Sequence, residues 1–140
     1  MIYVPKWFAL NELIPKSAVE TIPPSKAWFI FDNRLLLVAD YLRRDYGRMI
    51  VNDWKWGGKN QYRGWRPFNT EIGASLSQHK FGRALDIIPQ DASVDEIRND
   101  IINRKRPYME IIKGIEMEVN WLHIDTRNYE SPDILQFYPS

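Results

Sequence analysis

The two histidines are the residues whose chemistry stands out, because the sequence contains no cysteine. Any transition-metal site must therefore be built from imidazole and carboxylate groups. His79 lies in the segment SQHKFGRALD, which ends at Asp86, and His123 lies in the segment WLHID. A tight turn at Gly82 would fold His79 back beside Asp86, and a neighbouring strand would add His123.

Two imidazoles and one carboxylate are the ligand set of an open zinc site, whose fourth position is left for water. Zinc lowers the pKa of that water towards neutrality and polarises a substrate carbonyl. The alternative is that each histidine is an ordinary structural residue with satisfied hydrogen bonds. Two observations favour a metal site at His79, Asp86 and His123: the chain has no spare histidine, and both histidines lie on strand-like segments beside an acid.

The elements that must position these groups begin with a helix. Asp32 or Asn33 can cap it, and Gly47 ends it. Apolar residues follow at helical spacing, namely Leu35, Val38, Ala39 and Leu42. A short strand is predicted over residues 49–51. Residues 52–77 show no period, which predicts a long loop of the kind that is usually functional or disordered.

The second half of the chain supplies the predicted ligand strands. Residues 81–89 are a strand candidate, and Ser93 with Glu96 forms a capping box that opens a helix. Residues 111–117 and 121–126 read as the arms of a hairpin. Because helices and strands mix without regular βαβ alternation, we predict an α+β fold, with a small, mainly antiparallel sheet flanked by helices.

Length and charge bound the remaining possibilities. The chain has 140 residues with 19 basic and 18 acidic side chains, and residues 1–140 are predicted to form a single domain. The balanced charge gives no footprint for nucleic acid or an anionic membrane. We find no signal peptide and no stretch long enough to span a membrane, so synthesis in the cytoplasm is expected.

The motif SxHxxGxAxD over residues 77–86, followed by WxHxD over residues 121–125, resembles the zinc D-Ala-D-Ala carboxypeptidases (the M15 peptidase family), especially their phage and prophage members. The resemblance covers most of the chain and implies a hedgehog/DD-peptidase-like fold with bound Zn²⁺. It implies hydrolysis of peptidoglycan stem peptides, by D-Ala-D-Ala carboxypeptidase or L-Ala-D-Glu-type endopeptidase activity. A monomeric phage endolysin, released through a membrane lesion or carried in the virion, is the expected biological form.

The same resemblance implies roles for residues around the metal. Ser77 matches the residue that helps to hold the terminal carboxylate of the substrate. The family spacing places the substrate-orienting arginine at Arg63, and Arg66 lies close enough to compete for this role; either would clamp a carboxylate or the scissile carbonyl. Trp121 is expected to form a wall of the cleft.

The general base departs from the family pattern. Several members carry a catalytic glutamate three residues before the last histidine, where this sequence has Asn120. Glu118 and Glu116 lie slightly further back, and we favour Glu118 because it is nearer the hairpin turn. Simple strand alternation puts both on the face opposite His123, so a bulge or the turn would have to re-aim one of them.

Asp125 has two possible partners. It shares the strand face of His123 and could accept the second ring N–H of a ligating histidine, the usual arrangement behind a metal ligand. It could equally pair with Arg127.

Two other functions use the same residues. A catalytically silent peptidoglycan-binding module would keep the fold but lack the base, which Asn120 supports. A non-haem Fe(II) oxygenase uses the same three ligand types. That class predicts an HxD pair before the second histidine, whereas the HxD pair here is the last, at residues 123–125.

Overall fold

The computed structural model describes residues 2–139, which form an α+β fold of helices against a five-stranded, mainly antiparallel sheet. The fold class predicted from the sequence is confirmed. The helices are α1 Lys16–Thr21, α2 Pro24–Ala27, α3 Asn33–Tyr46 and α4 Val94–Ile102. The strands are β1 Met49–Ile50, β2 Ala84–Pro89, β3 Gly114–Glu116, β4 Leu122–Asp125 and β5 Leu135–Phe137. Short 3-10 segments cover Leu10–Glu12, Trp28–Ile30, Trp54–Trp56, Gln78–Phe81 and Pro107–Ile111.

The strands lie in the order β1-β2-β4-β3-β5. All neighbours are antiparallel except β3 and β5, which are parallel. The order places β2 beside β4 with Asp86 directly opposite His123. The predicted adjacency of the two ligand strands is therefore confirmed.

The sheet has two chemically different faces because side chains alternate along a strand. Leu85 and Ile87 of β2, with Leu122 and Ile124 of β4, belong to the buried apolar core against the helices. Asp86, His123 and Asp125 occupy the intervening positions and point to the other face. One face of the sheet thus builds the core, and the other carries the polar groups.

Helix α3 forms where the sequence predicted it. The Asp32 carboxylate accepts a hydrogen bond from the Arg34 N–H at 3.0 Å, and Gly47 ends the helix at a φ of 91°. The φ of 91° is strained for any L side chain, and a Cβ at Gly47 would also displace the Asp91 side chain, whose carboxylate oxygen would lie 2.5 Å away. The buried face of α3 then anchors the core beneath the sheet.

Other parts of the chain differ from the prediction. The first hairpin arm is shorter than residues 111–117, because a 3-10 segment that starts at Pro107 runs to Ile111. Strand β5 was not predicted, since three residues are too few to show alternation. The helices α1 and α2 also lack a readable period at six and four residues. The structure describes no helix long and apolar enough to cross a membrane.

Candidate metal centre

His79 is brought to the sheet by a short turn. It lies on the 3-10 segment Gln78–Phe81, which ends at Gly82 in the left-handed region at φ 68°. A Cβ at Gly82 would lie 2.0 Å from the Ile30 carbonyl oxygen. The turn therefore requires glycine both for its positive φ and for the close approach of this backbone. The chain then enters β2, and His79 Nε2 lies 3.3 Å from Asp86 Oδ2. The predicted turn at Gly82 is confirmed.

His123 joins these two residues from the neighbouring strand. Its Nδ1 lies 2.9 Å from Asp86 Oδ1, and its ring centroid lies 5.4 Å from that of His79. All three side chains are buried, and one ligand atom from each lies within 4.8 Å of the others. His79, Asp86 and His123, which we call the ligand cluster, could therefore hold a metal ion.

The second nitrogen of each imidazole has its own acceptor. His79 Nδ1 lies 2.8 Å from the Gly64 carbonyl oxygen, and His123 Nε2 lies 2.8 Å from Asp125 Oδ2. When each imidazole is neutral and carries its proton on this nitrogen, His79 Nε2 and His123 Nδ1 keep lone pairs on the side of Asp86. Metal-binding histidines are normally oriented in this way, so the donor set fits an open zinc site.

A four-residue segment at 63–66 supports the ligand cluster from the loop side. The Arg63 carbonyl accepts from the Asp86 N–H at 2.8 Å, and the Arg66 N–H donates to the His79 carbonyl at 3.2 Å. Between them, Gly64 supplies the acceptor for His79, and a Cβ there would lie 2.1 Å from the Leu13 carbonyl oxygen. Sequence reasoning missed Gly64, because a lone loop glycine does not reveal which distant backbone it approaches.

Charges within the cluster set its protonation. Burial lowers the pKa of His123, but hydrogen bonds to Asp125 and Asp86 outweigh it and raise that pKa to about 9. Burial lowers the pKa of His79. The pKa of Asp86 lies below its usual value because the two histidines outweigh its burial. The metal-free cluster at neutral pH therefore holds a cationic His123 between two carboxylates.

A cavity of about 490 Å³, which we call the metal cavity, opens onto the ligand cluster. Its wall includes four residues that the sequence singled out as site candidates, namely Arg66, Ser77, Glu116 and Trp121. Arg66 donates Nη2 to Asp86 Oδ2 at 3.3 Å and Nε to the Tyr62 carbonyl at 2.6 Å. Ser77 accepts a hydrogen bond from the His79 N–H at 3.3 Å, so it also caps the segment that carries that ligand.

The two candidate bases occupy different places. Glu116 lines the metal cavity, whereas Glu118 is exposed at the turn with a φ of 60° and is not among the described lining residues. The expectation that both glutamates face away from His123 is wrong for Glu116. In the register of β3 and β4, Gly114 pairs with Asp125, so Glu116, two residues further along β3, lies on the sheet face of Asp125 and His123.

Arg63 and Asn120 lie on another side of the cluster. They line a second cavity of about 330 Å³, which we call the side cavity, together with Asp86, Ile88 and Trp121. Arg63 therefore does not share the metal cavity with Ser77. The sequence predicts that Arg63 and Ser77 orient the substrate together, whereas in the structure Arg66 is the candidate arginine that lines the metal cavity with Ser77.

Asp125 makes both of the contacts that the sequence allowed. Besides His123, it binds the Arg127 guanidinium through two hydrogen bonds of 2.8 and 2.6 Å. Arg127 lies over the Phe137 ring at 4.7 Å, and that ring meets the His123 ring edge-on at 5.1 Å. Sequence reasoning missed Phe137 because its contacts depend on the unpredicted strand β5.

Comparison with known proteins adds no relative to this description. No family model, no curated protein and no solved structure matches the chain. The geometry of the ligand cluster and the motif resemblance are therefore the grounds on which a function is proposed.

Proposed function

We propose that this chain is a zinc-dependent peptidase that hydrolyses peptidoglycan stem peptides. The observation that carries the proposal is the ligand cluster, in which two imidazole nitrogens and a carboxylate converge within 4.8 Å beside a cavity of about 490 Å³. The acceptors behind both imidazoles support it, because they leave the correct nitrogens free for an ion. The stem-peptide substrate follows from the motif resemblance.

When bound, zinc would activate a water molecule and polarise the carbonyl of the scissile amide. Glu116 is the carboxylate of the metal-cavity wall that lies outside the ligand cluster, among the described residues. In this proposal Glu116 would accept a proton from the attacking water and return it to the leaving amine. We therefore assign the general base to Glu116 in place of Glu118.

Arg66 and Ser77 would orient the substrate from the same wall. The Arg66 side chain is only 12% exposed and is held by Asp86 and the Tyr62 carbonyl, so its guanidinium is fixed before any substrate arrives. A fixed cation in a largely buried site stabilises negative charge on a substrate carboxylate or on the carbonyl oxygen. Trp121 forms part of the cleft wall. The proposed setting is a phage-type lysis protein that acts on the cell wall as a monomer.

The test combines metal analysis with hydrolysis of purified muropeptides. We expect about one zinc per chain, and mass spectrometry should show cleaved stems or released D-Ala. Cleavage should stop with a chelator and return with zinc. Glu130→Gln, an exposed substitution after β4, serves as the matched control and should cleave normally. A protein that binds no metal would contradict the proposal.

One observation favours a second candidate. Asn120 occupies the position where several members of the family that the motif resembles carry the catalytic glutamate, and its side chain cannot act as a base. If zinc-loaded protein binds muropeptides but cleaves none of them, the chain is a peptidoglycan-binding module of the same fold. Iron in place of zinc, again without cleavage, would favour the oxygenase.

A further inference from the structure

A buried arginine outside the ligand cluster contacts the chain segment that connects β3 to β4. Arg98 lies on α4, and its side chain is only 7% exposed. Its Nη2 donates to the Val119 carbonyl at 2.7 Å and to the Trp121 carbonyl at 3.1 Å. One guanidinium nitrogen thus joins the helix to two carbonyls of this connection.

The connection over residues 118–121 has few other restraints. The pairing of β3 with β4 ends at Ile115 and Ile124. In the part of the chain that the structure describes, no hydrogen bond between backbone groups outside the strand ladders involves residues 118–121. Glu118 also adopts a φ of 60°, in the left-handed region that side chains disfavour. The connection therefore depends on Arg98 more than on its own backbone.

The burial of Arg98 costs free energy that its contacts must offset. A guanidinium that leaves water needs partners for its donors, yet Nε is buried and has no partner among the described residues. The Asp95 carboxylate lies 3.1 Å from Nη1 but is 87% exposed, so water screens this ion pair. The two carbonyls are therefore the main partners of the buried cation, and a charged donor strengthens both hydrogen bonds.

Trp121 connects this contact to the proposed substrate cleft. Its carbonyl accepts from Arg98, and the residue lines both the metal cavity and the side cavity. The ligand cluster has separate support, because β4 is paired with β2 at the position where His123 lies opposite Asp86. A shift of the connection would therefore move the wall of the cleft more than it would move the ligands.

We propose that Arg98 is a positioning residue, which holds the carbonyls of Val119 and Trp121 and so fixes Trp121 as a wall against which the substrate binds. This inference rests on the proposed peptidase function. Loss of Arg98 should weaken substrate binding but leave the general base in place, because Glu116 is paired with Phe137 of β5. A rise in KM with little change in kcat is the kinetic sign of such a loss.

The first test measures KM and kcat of the zinc-loaded protein with a stem peptide. Arg98→Met keeps an unbranched apolar side chain but removes every donor, and it should raise KM about tenfold while kcat stays within about threefold. Arg48→Met is the matched control, because Arg48 is 74% exposed and pairs with Asp91; both constants should stay unchanged. An unchanged KM in Arg98→Met, or a fall in kcat alone, would overturn the inference and leave the peptidase proposal intact.

A double-mutant cycle then tests whether Arg98 acts through Trp121. Trp121→Ala alone should raise KM by a factor similar to that of Arg98→Met. Added to Trp121→Ala, the Arg98→Met change should raise KM by less than about twofold, because the residue that Arg98 positions is already absent. Two factors that simply multiply would show that Arg98 acts elsewhere and would overturn the inference.

A third test does not depend on turnover. Protein that contains fluorotryptophan should give a fluorine NMR signal for each of its six tryptophans, and Trp121→Phe identifies the signal of Trp121. Arg98→Met should shift or broaden this signal and leave the others in place, which also shows that the variant is folded. An unmoved Trp121 signal would overturn the inference. A shifted signal in a protein that hydrolyses no stem peptide would keep Arg98 as the residue that holds Trp121 and refute the peptidase.

Arg98→Lys replaces the methionine variant if that variant does not fold. Lysine keeps the charge but presents one ammonium on a shorter side chain instead of the planar fork. The Trp121 signal should therefore still shift, with a smaller rise in KM of about threefold. In that case, a lysine variant with the wild-type signal and the wild-type KM would overturn the inference.

Discussion

The ligand cluster and the wall of the metal cavity are built by different means. Asp86 and His123 are fixed by the register of two central strands, and His79 by one glycine turn in front of β2. Most of the wall comes from the loop before His79 and from the ends of β3, β4 and β5. The ligands are buried, whereas the wall includes side chains as exposed as Leu76 at 70%.

This difference separates the two tasks of the site. Strands and backbone hydrogen bonds hold the three ligand atoms together, so metal binding should depend on residues in or against the sheet. Loops tolerate change because few packed contacts restrain them, so substrate choice should depend on the wall. Substitutions in the two regions should then have separable effects, on the ion in one case and on turnover in the other.

The largest effect is expected inside the ligand cluster. His123→Ala removes one of three protein ligands and should abolish stoichiometric zinc binding, because a tightly bound zinc draws on the order of 10 kcal/mol from its full ligand set. Metal analysis after gel filtration measures the loss, and circular dichroism checks that the variant is folded. Retention of one zinc per chain would show that His123 is not a ligand.

Substitution of Glu116 and of Glu118 tests whether the wall of the metal cavity supplies the general base. Glu116→Gln should retain zinc but lower kcat by about 10²- to 10⁴-fold, the usual contribution of a general base. Glu118→Gln is its matched control, since the same change is made two residues away on an exposed turn, and its kcat should stay within about twofold. A large loss in Glu118→Gln with normal activity in Glu116→Gln would reverse the assignment made from the cavity.

The sequence predicted the ligand cluster better than the wall for a physical reason. Asp86, His79 and the turn at Gly82 lie within eight residues, where local backbone geometry decides the outcome. Whether Glu116 and Glu118 lie on the same sheet face as His123 depends on the register between β3 and β4. Counting odd and even positions along the chain does not reveal that register. The contact of Gly64 with Leu13 joins distant segments and leaves no local signal.

The protonation of His123 predicts how metal binding depends on pH. Its pKa of about 9 in the metal-free protein means that an ion must displace one proton at neutral pH. Zinc affinity should therefore rise about tenfold per pH unit, or about 100-fold from pH 6.5 to 8.5, and level off above pH 9. Competition with a chelator of known proton affinity measures the slope.

The raised pKa of His123 also affects the stability of the metal-free protein. As the pH rises, this stability should fall, whereas the affinity for zinc should increase. Protonated His123 is stabilised by Asp86 and Asp125 in the folded state, so its contribution to the free energy of unfolding is complete below the ordinary histidine pKa of about 6.5 and is lost as the pH rises through 9. Chemical denaturation of zinc-free protein should show this decline. If the zinc affinity of the preceding prediction proves independent of pH, His123 is already neutral in the metal-free protein.

A smaller effect on zinc affinity is expected at Asp125, which contacts the ligand His123. Asp125→Asn keeps the shape of the side chain but removes the charge that faces His123 Nε2 and binds Arg127. Residues in this position typically contribute about 10- to 100-fold to metal affinity, so zinc should still bind but more weakly. The visible spectrum of the Co²⁺-loaded protein should shift as well, because the orientation of the His123 ring changes. Asp133→Asn, at an exposed acid before β5, is the matched control and should change neither quantity. Equal zinc affinities for the two variants would mean that strand register alone, without the carboxylate behind it, holds His123 in place.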